Sequence, residues 1–478
     1  MRKTLLRLTL LITFASRGQE RTTIHIEHAN QMLKTLESEA VLLKGEVHIR
    51  HDSTHFYCDS ANYYDGRYAE LFGHVRMVDD STVLETEHLT YDRDQHLASY
   101  PNHGVTTRGD KKLVSDLGFY RDDKKEFRVF KNVVATSPKY QMYTDTLYYN
   151  TPLEKMWFQG PTTIINEENT LEGTHGYYLT ERDLAFLDEH PKMYNETQTL
   201  TADSLLYDRQ NYFAKGMSRI QMIDTSYKVI LRGQYVEVWE KIGFSFATDQ
   251  AYAVYYDDPD SLFIASDTMF YHFKTELNEE EKILGRRHVC FYKSDMQGRC
   301  DTMTYDMADS TILMRKEPVL WTEDSQMTGE EIDIRVAHHA IDSLFQRGHA
   351  FIISKDTVEG YNQINGAEMV SKFIDGGIDH VNVTGDAKII SWLREDDASL
   401  IGINKSSAKR MRILMKDKSI SLIKYYENID ETLYPEKDLK ESDRYLEGFL
   451  WREDRPEDKE GIFNSEFEMR NAELPTEE

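Results

Sequence analysis

Apolar and polar residues alternate along most of this chain in short runs. In GEVHIRH, which begins at Gly45, Val47 and Ile49 alternate with His48 and Arg50. In GHVRMVD, from Gly73, Val75 and Met77 alternate with His74 and Arg76. GVTTRGD from Gly104 and GPTTIIN from Gly160 have the same outline. A period of two sends successive side chains to opposite faces, so these runs predict half-buried strands. Their leading glycine predicts a bulge or a tight corner. Helical spacing occurs at residues 29–43 (ANQMLKTLESEAVLL), where a short capping helix is expected.

A second phrase recurs between these strands: a small residue, an acid and then a tyrosine. It opens at Cys58 (CDSANYY), Thr86, Ser115, Thr144, Gly173 and Ala202, starts that lie about 29 residues apart. Later copies open at Ser266 and Cys300, a degenerate one at Gly233, and weaker ones at Gly329 and Gly366. Counting the opening residue as zero, position three holds Leu89, Leu147, Leu205, Met269 and Met303, among others. Position five holds Tyr63, Tyr91, Tyr120, Tyr149, Tyr178, Tyr207, Tyr271 and Tyr305. In a strand these two positions share a face; in a helix they diverge by about 200°. One repeat cannot bury its apolar face alone, so the repeats must stack, with the tyrosines as an aromatic wall and their hydroxyls along one edge. The acid at position one (Asp59, Asp116, Asp145, Asp203, Asp267, Asp301) is expected to accept from backbone amides where the chain enters the strand.

Composition narrows the function. The 478 residues carry a net charge of −26, which argues against a nucleic-acid groove and so against a nucleic-acid partner. The N-terminus combines Arg2 and Lys3 with an apolar stretch over residues 8–15 and small residues to Gly18, the outline of a secretory signal peptide. The three cysteines do not make a disulfide framework. Cys58 and Cys300 stand where Ser, Thr, Gly or Ala stand in other repeats, which favours a small-residue role; a Cys290–Cys300 pair stays open. Signature spacings for nucleotide binding, zinc hydrolysis or a nucleophile elbow do not occur. His25 and Glu27 share a strand face and read as a solvated edge. His338 and His339 are expected on opposite faces of a strand. Residues 399–426 are locally basic and the chain beyond residue 428 is acidic. The expectation is therefore no enzyme, with no catalytic residue, no metal ligand and no cofactor.

The phrases LLKGEVHIRH (42–51), YAELFGHVRMVD (68–79), ADSLLYDRQNYFAKG (202–216) and VNVTGDAKI (381–389) resemble the OstA-like family, which includes LptA. CDTMTYDMADSTILMRKEPVLW (300–321), YNQINGAEM (361–369) and LYPEKDL (433–439) are similar to the long OstA-like proteins of Bacteroidetes-type bacteria. The resemblance implies an all-β, elongated antiparallel jelly roll, a folded-over sheet built here from repeats of about 29 residues. It implies a periplasmic protein, bridging inner and outer membranes, that carries lipopolysaccharide or a related glycolipid toward the outer membrane by its acyl chains. Implied partners are that glycolipid, other envelope transport proteins docked through edge strands, and further copies of the chain joined end to end. The expected organisation is a signal peptide (1–18), two OstA-like repeat regions (22–275 and 276–430) and an acidic, partly disordered tail (431–478). The expected groove is lined by Val47, Val75 and Met77 on one side and by Leu89, Leu147, Leu205, Met269 and Met303 on the other. Tyr91, Tyr149 and Tyr207 would rim or close it. The alternative is a cell-envelope spacer or adaptor with a solid core and no lipid cargo.

Overall fold

The computed structural model describes residues 23–34, 38–256, 260–322, 325–356, 358–395, 398–416 and 419–462. The expected signal peptide and residues 463–478 of the tail lie outside them. The chain forms two compact units, Met1–Glu167 and Glu168–Glu478.

Both units are antiparallel meanders. In the first, Ala40–His51, Thr54–Tyr64, Tyr68–Asp79 and Thr82–Asp92 pair in chain order, and Glu126–Thr136, Gln141–Asn150 and Lys155–Ile165 do the same. In the second, Phe213–Asp224, Val229–Trp239, Phe244–Tyr255, Leu262–His272, Lys282–Lys293 and Met296–Asp306 follow one another likewise. The longest strands, Ala340–Lys355 to Leu400–Lys416, repeat the pattern. Among the described residues, no helix is long and apolar enough to cross a membrane.

Each long strand folds near its middle. Lys44 pairs with Ser60 and Val47 with Cys58, so Gly45 and Glu46 together oppose Asp59. Such an extra residue bends a strand and sharpens its twist. Gly45 and Glu46 have φ of 78° and 50°, and Gly73 and His74 repeat this at 75° and 43°. Glycine enters this left-handed region without steric cost, which accounts for Gly45, Gly73 and Gly160; Gly104 is not left-handed, and there a Cβ would meet the Tyr100 ring. Later strands fold at Ser218–Arg219, Asp249–Gln250 and Arg287–His288, which also have positive φ. The sheet in each unit thus doubles back on itself as two leaves, joined along a corner of bulges and parted at the opposite rim.

One leaf carries positions three and five of the repeats; we call it the tyrosine leaf. The other carries Val47, Ile49, Phe56, Val75, Met77 and Leu84, all at most 1% exposed. The leaves touch, with the Phe56 and Tyr91 ring centroids 4.7 Å apart. Position zero sits inside the corner. Strict alternation would set positions zero and three on opposite faces, but the fold turns both inward. Space there admits only Cys58, Thr86, Ser115, Thr144, Ala202, Ser266 or Cys300, all buried. Several of these donate to the carbonyl two residues on: Cys58 to Ser60 (3.2 Å), Ser266 to Thr268 (2.8 Å) and Cys300 to Thr302 (3.2 Å). The bond gives a partner to a polar group that burial would otherwise leave unsatisfied. All three cysteines are free and buried.

Several expectations are corrected. Residues 31–34 and 40–51 are strands, not a helix, because tertiary pairing with Thr54–Tyr64 overrides a weak helical spacing. The position-one acids accept from side chains of the facing bulge rather than from turn amides. Asp59 bonds His74 Nδ1 (2.9 Å), Asp116 bonds Asn132 (2.7 Å), Asp203 bonds Arg219 (2.7 Å) and Asp301 bonds Lys316 (2.8 Å). The bulge places them beside the next strand's corner and away from any helix-like turn. His338 and His339 lie in a hairpin turn with φ of 52° and 64°, not within a strand.

Candidate functional site

The interior between the leaves is the candidate site. Strand alternation directs positions three and five into it, and the bulge turns the other half of each strand over them. Val47, Val75, Met77, Leu89, Leu147, Leu205, Met269, Met303, Tyr91, Tyr149 and Tyr207 all lie inside, between 0% and 5% exposed. Within the first unit the structure brings together Val47, Val75, Met77, Leu89, Leu147, Tyr91 and Tyr149. Within the second it brings together Leu205, Met269, Met303 and Tyr207. Packing is close in the first unit, where a void beside Leu113, Phe127, Tyr149 and Met156 holds about 20 Å³.

Polar groups close the rim. Tyr120 donates to Asp79 across the parted edge (2.6 Å), and Lys125 pairs with the same carboxylate. Tyr91 donates to Asp122 (2.6 Å) and lies 2.5 Å from His51 Nδ1. Tyr149 donates to Glu154 (3.0 Å), which also pairs with Arg108 and Lys111. In the second unit Tyr207 accepts from Asn169 (2.8 Å) and faces Glu240, while Tyr271 donates to Asp224 (3.3 Å). These environments move proton affinities. Burial, then the nearby carboxylate, pushes the Tyr91 and Tyr271 hydroxyls far up; for Tyr120 the hydrogen bond to Asp79 follows burial as the second cause. Burial pushes Glu240 up to about 7, helped by the charge of Glu168. Burial also raises Asp122, but bonds from His51, Tyr91 and His96 outweigh it and hold this carboxyl below its usual value.

The rim of the second unit has a mouth. A cleft of about 290 Å³ opens between Tyr255, Leu262 and Met296 on one leaf and Tyr305, Ile312 and Val336 on the other. Tyr255 and Tyr305 face each other edge to face across it, 5.4 Å between centroids. A larger cleft, about 700 Å³, lies on the corner side and is lined by Gln250, Asp267, His288, Arg299, Asp301 and Lys316, with Ile462 of the tail at its edge. Its lining is mixed, with charged side chains beside Ala251, Val289 and Cys290.

The sequence reading missed the rim partners Asp79, Asp122, Glu154, Asp224 and Glu240. They stand at strand ends and in turns, at variable offsets from the tyrosines they meet, so no fixed spacing marks them. It also missed how the tail docks. Gln326 exchanges bonds with Leu450 O and Arg452 N (2.7 and 2.8 Å), and Gln363 does the same with Arg444 O and Leu446 N (2.8 Å each). Leu439 packs with Ile390, Trp392 and Ile403, and Ile462 with Ile230, Tyr252 and Cys290. Buried glutamines on otherwise apolar strands were the available signal.

No curated protein matches the chain. A solved structure with similarity is LptH from Pseudomonas aeruginosa, described as the LptA-homologous periplasmic component of the lipopolysaccharide transport device. It is 12% identical, spans 29% of this chain and 95% of its own, and has a TM-score of 0.24. The family described as OstA-like protein matches residues 62–145 and again residues 128–203. Those matches together span residues 62–203, from the strand Thr54–Tyr64 through the rest of the first unit and into the second, and over that stretch this chain is similar to the OstA-like family.

Proposed function

We propose that the protein is a non-enzymatic periplasmic carrier that holds lipopolysaccharide, or a related glycolipid, by its acyl chains between the two leaves. The observation that carries this reading is the apolar lane itself. Leu, Val and Met from the two leaves face one another inside a roll whose leaves are joined by the backbone along the corner and, among the described residues, by side chains across the rim. The match of residues 62–203 to the OstA-like family supports it. The mouth at Tyr255, Met296, Tyr305 and Ile312, edged by Asp260 and Lys293, gives a place for chains to enter. Burial supplies about 0.8 kcal/mol per methylene without fixing direction, which suits cargo that must move on. Delivery toward the outer membrane, docking to other envelope transport proteins through edge strands and end-to-end contact with further copies belong to the same proposal.

The close packing around Leu147 favours a second reading, a spacer with a solid core. Photo-crosslinking residues placed singly at Leu147, Leu205 and Ile312 in cells separate the two. Leu206, which points outward from the same strand as Leu205, is the control. Capture of glycolipid at 312 and 205 but not 206 is expected. Failure at every inner position, in folded and exported protein, establishes the spacer instead.

A further inference from the structure

Three rim side chains outside the apolar lane converge in the first unit. His51 ends the strand Ala40–His51 on the leaf opposite the tyrosines. His96 stands in the turn before Leu97–Tyr100, and Asp122 follows Leu117–Arg121, both on the tyrosine leaf. One ligand atom from each lies within 4.8 Å of the others. His96 Nδ1 is 2.9 Å from Asp122 Oδ1, and His51 Nδ1 is 3.9 Å from Asp122 Oδ2. The imidazoles are tilted at 45° with centroids 5.4 Å apart.

We propose that His51, His96 and Asp122 bind a zinc-class divalent ion that clasps the two leaves together at the rim. Two imidazoles and one carboxylate are a zinc donor set, whereas calcium and magnesium require mostly oxygen. Ligand atoms about 2.0–2.1 Å from a tetrahedral ion stand about 3.3–3.4 Å apart, so the side chains need to shift by less than about 1 Å. The surroundings match those of a metal site. Asp52 Oδ2 lies 3.8 Å from His51 Nε2, beyond hydrogen-bond distance but near enough that a small side-chain shift would bring it onto the ring's second nitrogen. The Tyr91 hydroxyl bridges Asp122 Oδ2 (2.6 Å) and His51 Nδ1 (2.5 Å); an ion on His51 Nδ1 displaces the second of these bonds and leaves the first to steady the carboxylate. His51 and Asp122 are buried while His96 is 30% exposed, which leaves a path for the ion and a position for water. Because the ligands come from both leaves, bound zinc favours the closed rim over the parted one by its binding free energy. This inference does not depend on what occupies the interior.

The test uses the full chain, stripped with chelator, titrated with zinc by calorimetry and assayed for retained metal after dialysis. One tightly bound equivalent is expected, together with a rise in melting temperature. Asp122→Asn and His96→Asn should each weaken binding by about 100-fold or more and abolish the thermal rise. Asparagine tolerates the left-handed backbone of His96 (φ 52°), so this variant should fold. His48 and His55, whose rings bond at 3.0 Å on the outer face, are the control. His55→Ala should retain the metal. The proposal is overturned if stripped protein takes up no stoichiometric zinc. It is equally overturned if both rim variants keep zinc, or if His55→Ala alone loses it.

Discussion

The two edges of the folded sheet use the same chemistry to opposite effect. At the corner, Asp59, Asp203, Asp267 and Asp301 pair with His74, Arg219, His288 and Lys316 in open solvent. At the rim, Asp79, Asp122 and Asp224 are at most 8% exposed and receive tyrosine hydroxyls from the other side of the roll or from their own leaf. At the corner the backbone itself joins the leaves, so side-chain pairs there add little. At the rim, among the described residues, side chains join the leaves in place of a backbone connection. A carboxylate repeated in every layer is therefore decorative on one edge and structural on the other. Burial, not residue type, decides which.

The largest effect should come from the rim. Asp79→Ala removes the acceptor of Tyr120 and the counter-ion of Lys125. A buried hydroxyl and a half-buried ammonium then lose their partner, at a cost of about 3 kcal/mol. Chemical denaturation should show a lower midpoint with an unchanged slope. A loss below about 1 kcal/mol would mean that water already fills this rim and the contrast between the edges is false.

A pH series sharpens the comparison within the rim. Glu240 titrates near 7 in the folded chain, against 4.5 for the free side chain. The folded state therefore binds this proton more tightly than the unfolded state does. The associated stability is complete below about pH 4.5 and is lost as pH rises through 7. Because Glu240 is partly open to solvent, we expect on the order of 2 kcal/mol between pH 5 and pH 8. Glu240→Gln should flatten that part of the pH–stability curve. A slope that persists unchanged in this variant would place the titrating group elsewhere.

Much of the fold was legible because two signals agreed. Alternation in GHVRMVD gave the strand, and its glycine gave the bend, which is found at Gly73–His74. Positions three and five face inward as the period-two pattern requires, from Leu89 to Met303. The small residue at position zero was visible as a pattern but not as a cause, because only the folded strand shows that Thr86 and Leu89 both point inward. The interior lining was legible for the same reason as the strands. The rim was not. Tyr91 meets His51 and Asp122, 40 residues before it and 31 after it, through turns of unequal length. Contacts across a parted edge depend on how the leaves close, which no local spacing records. The helix expected over residues 29–43 failed because its apolar residues pair across strands.

The smallest effect should lie at the corner, and it is the one that most directly tests why the acid recurs. Asp267 accepts from His288 Nδ1 at 3.0 Å, with both side chains about half or more exposed. Solvent screens such a pair, and holding two side chains in one geometry costs entropy. Asp267→Ala should therefore change stability by no more than about 0.5 kcal/mol, and the difference should shrink further at high salt. Paired with Asp79→Ala, it forms a comparison of one residue type on the two edges of the same folded-strand pattern. If the corner variant proved as costly as the rim variant, the acids would be setting the fold line. The left-handed bulge at Arg287–His288 would then not suffice to turn the strand. If it is nearly silent, the backbone makes the corner by itself, and the repeated acid is free to serve the outer surface.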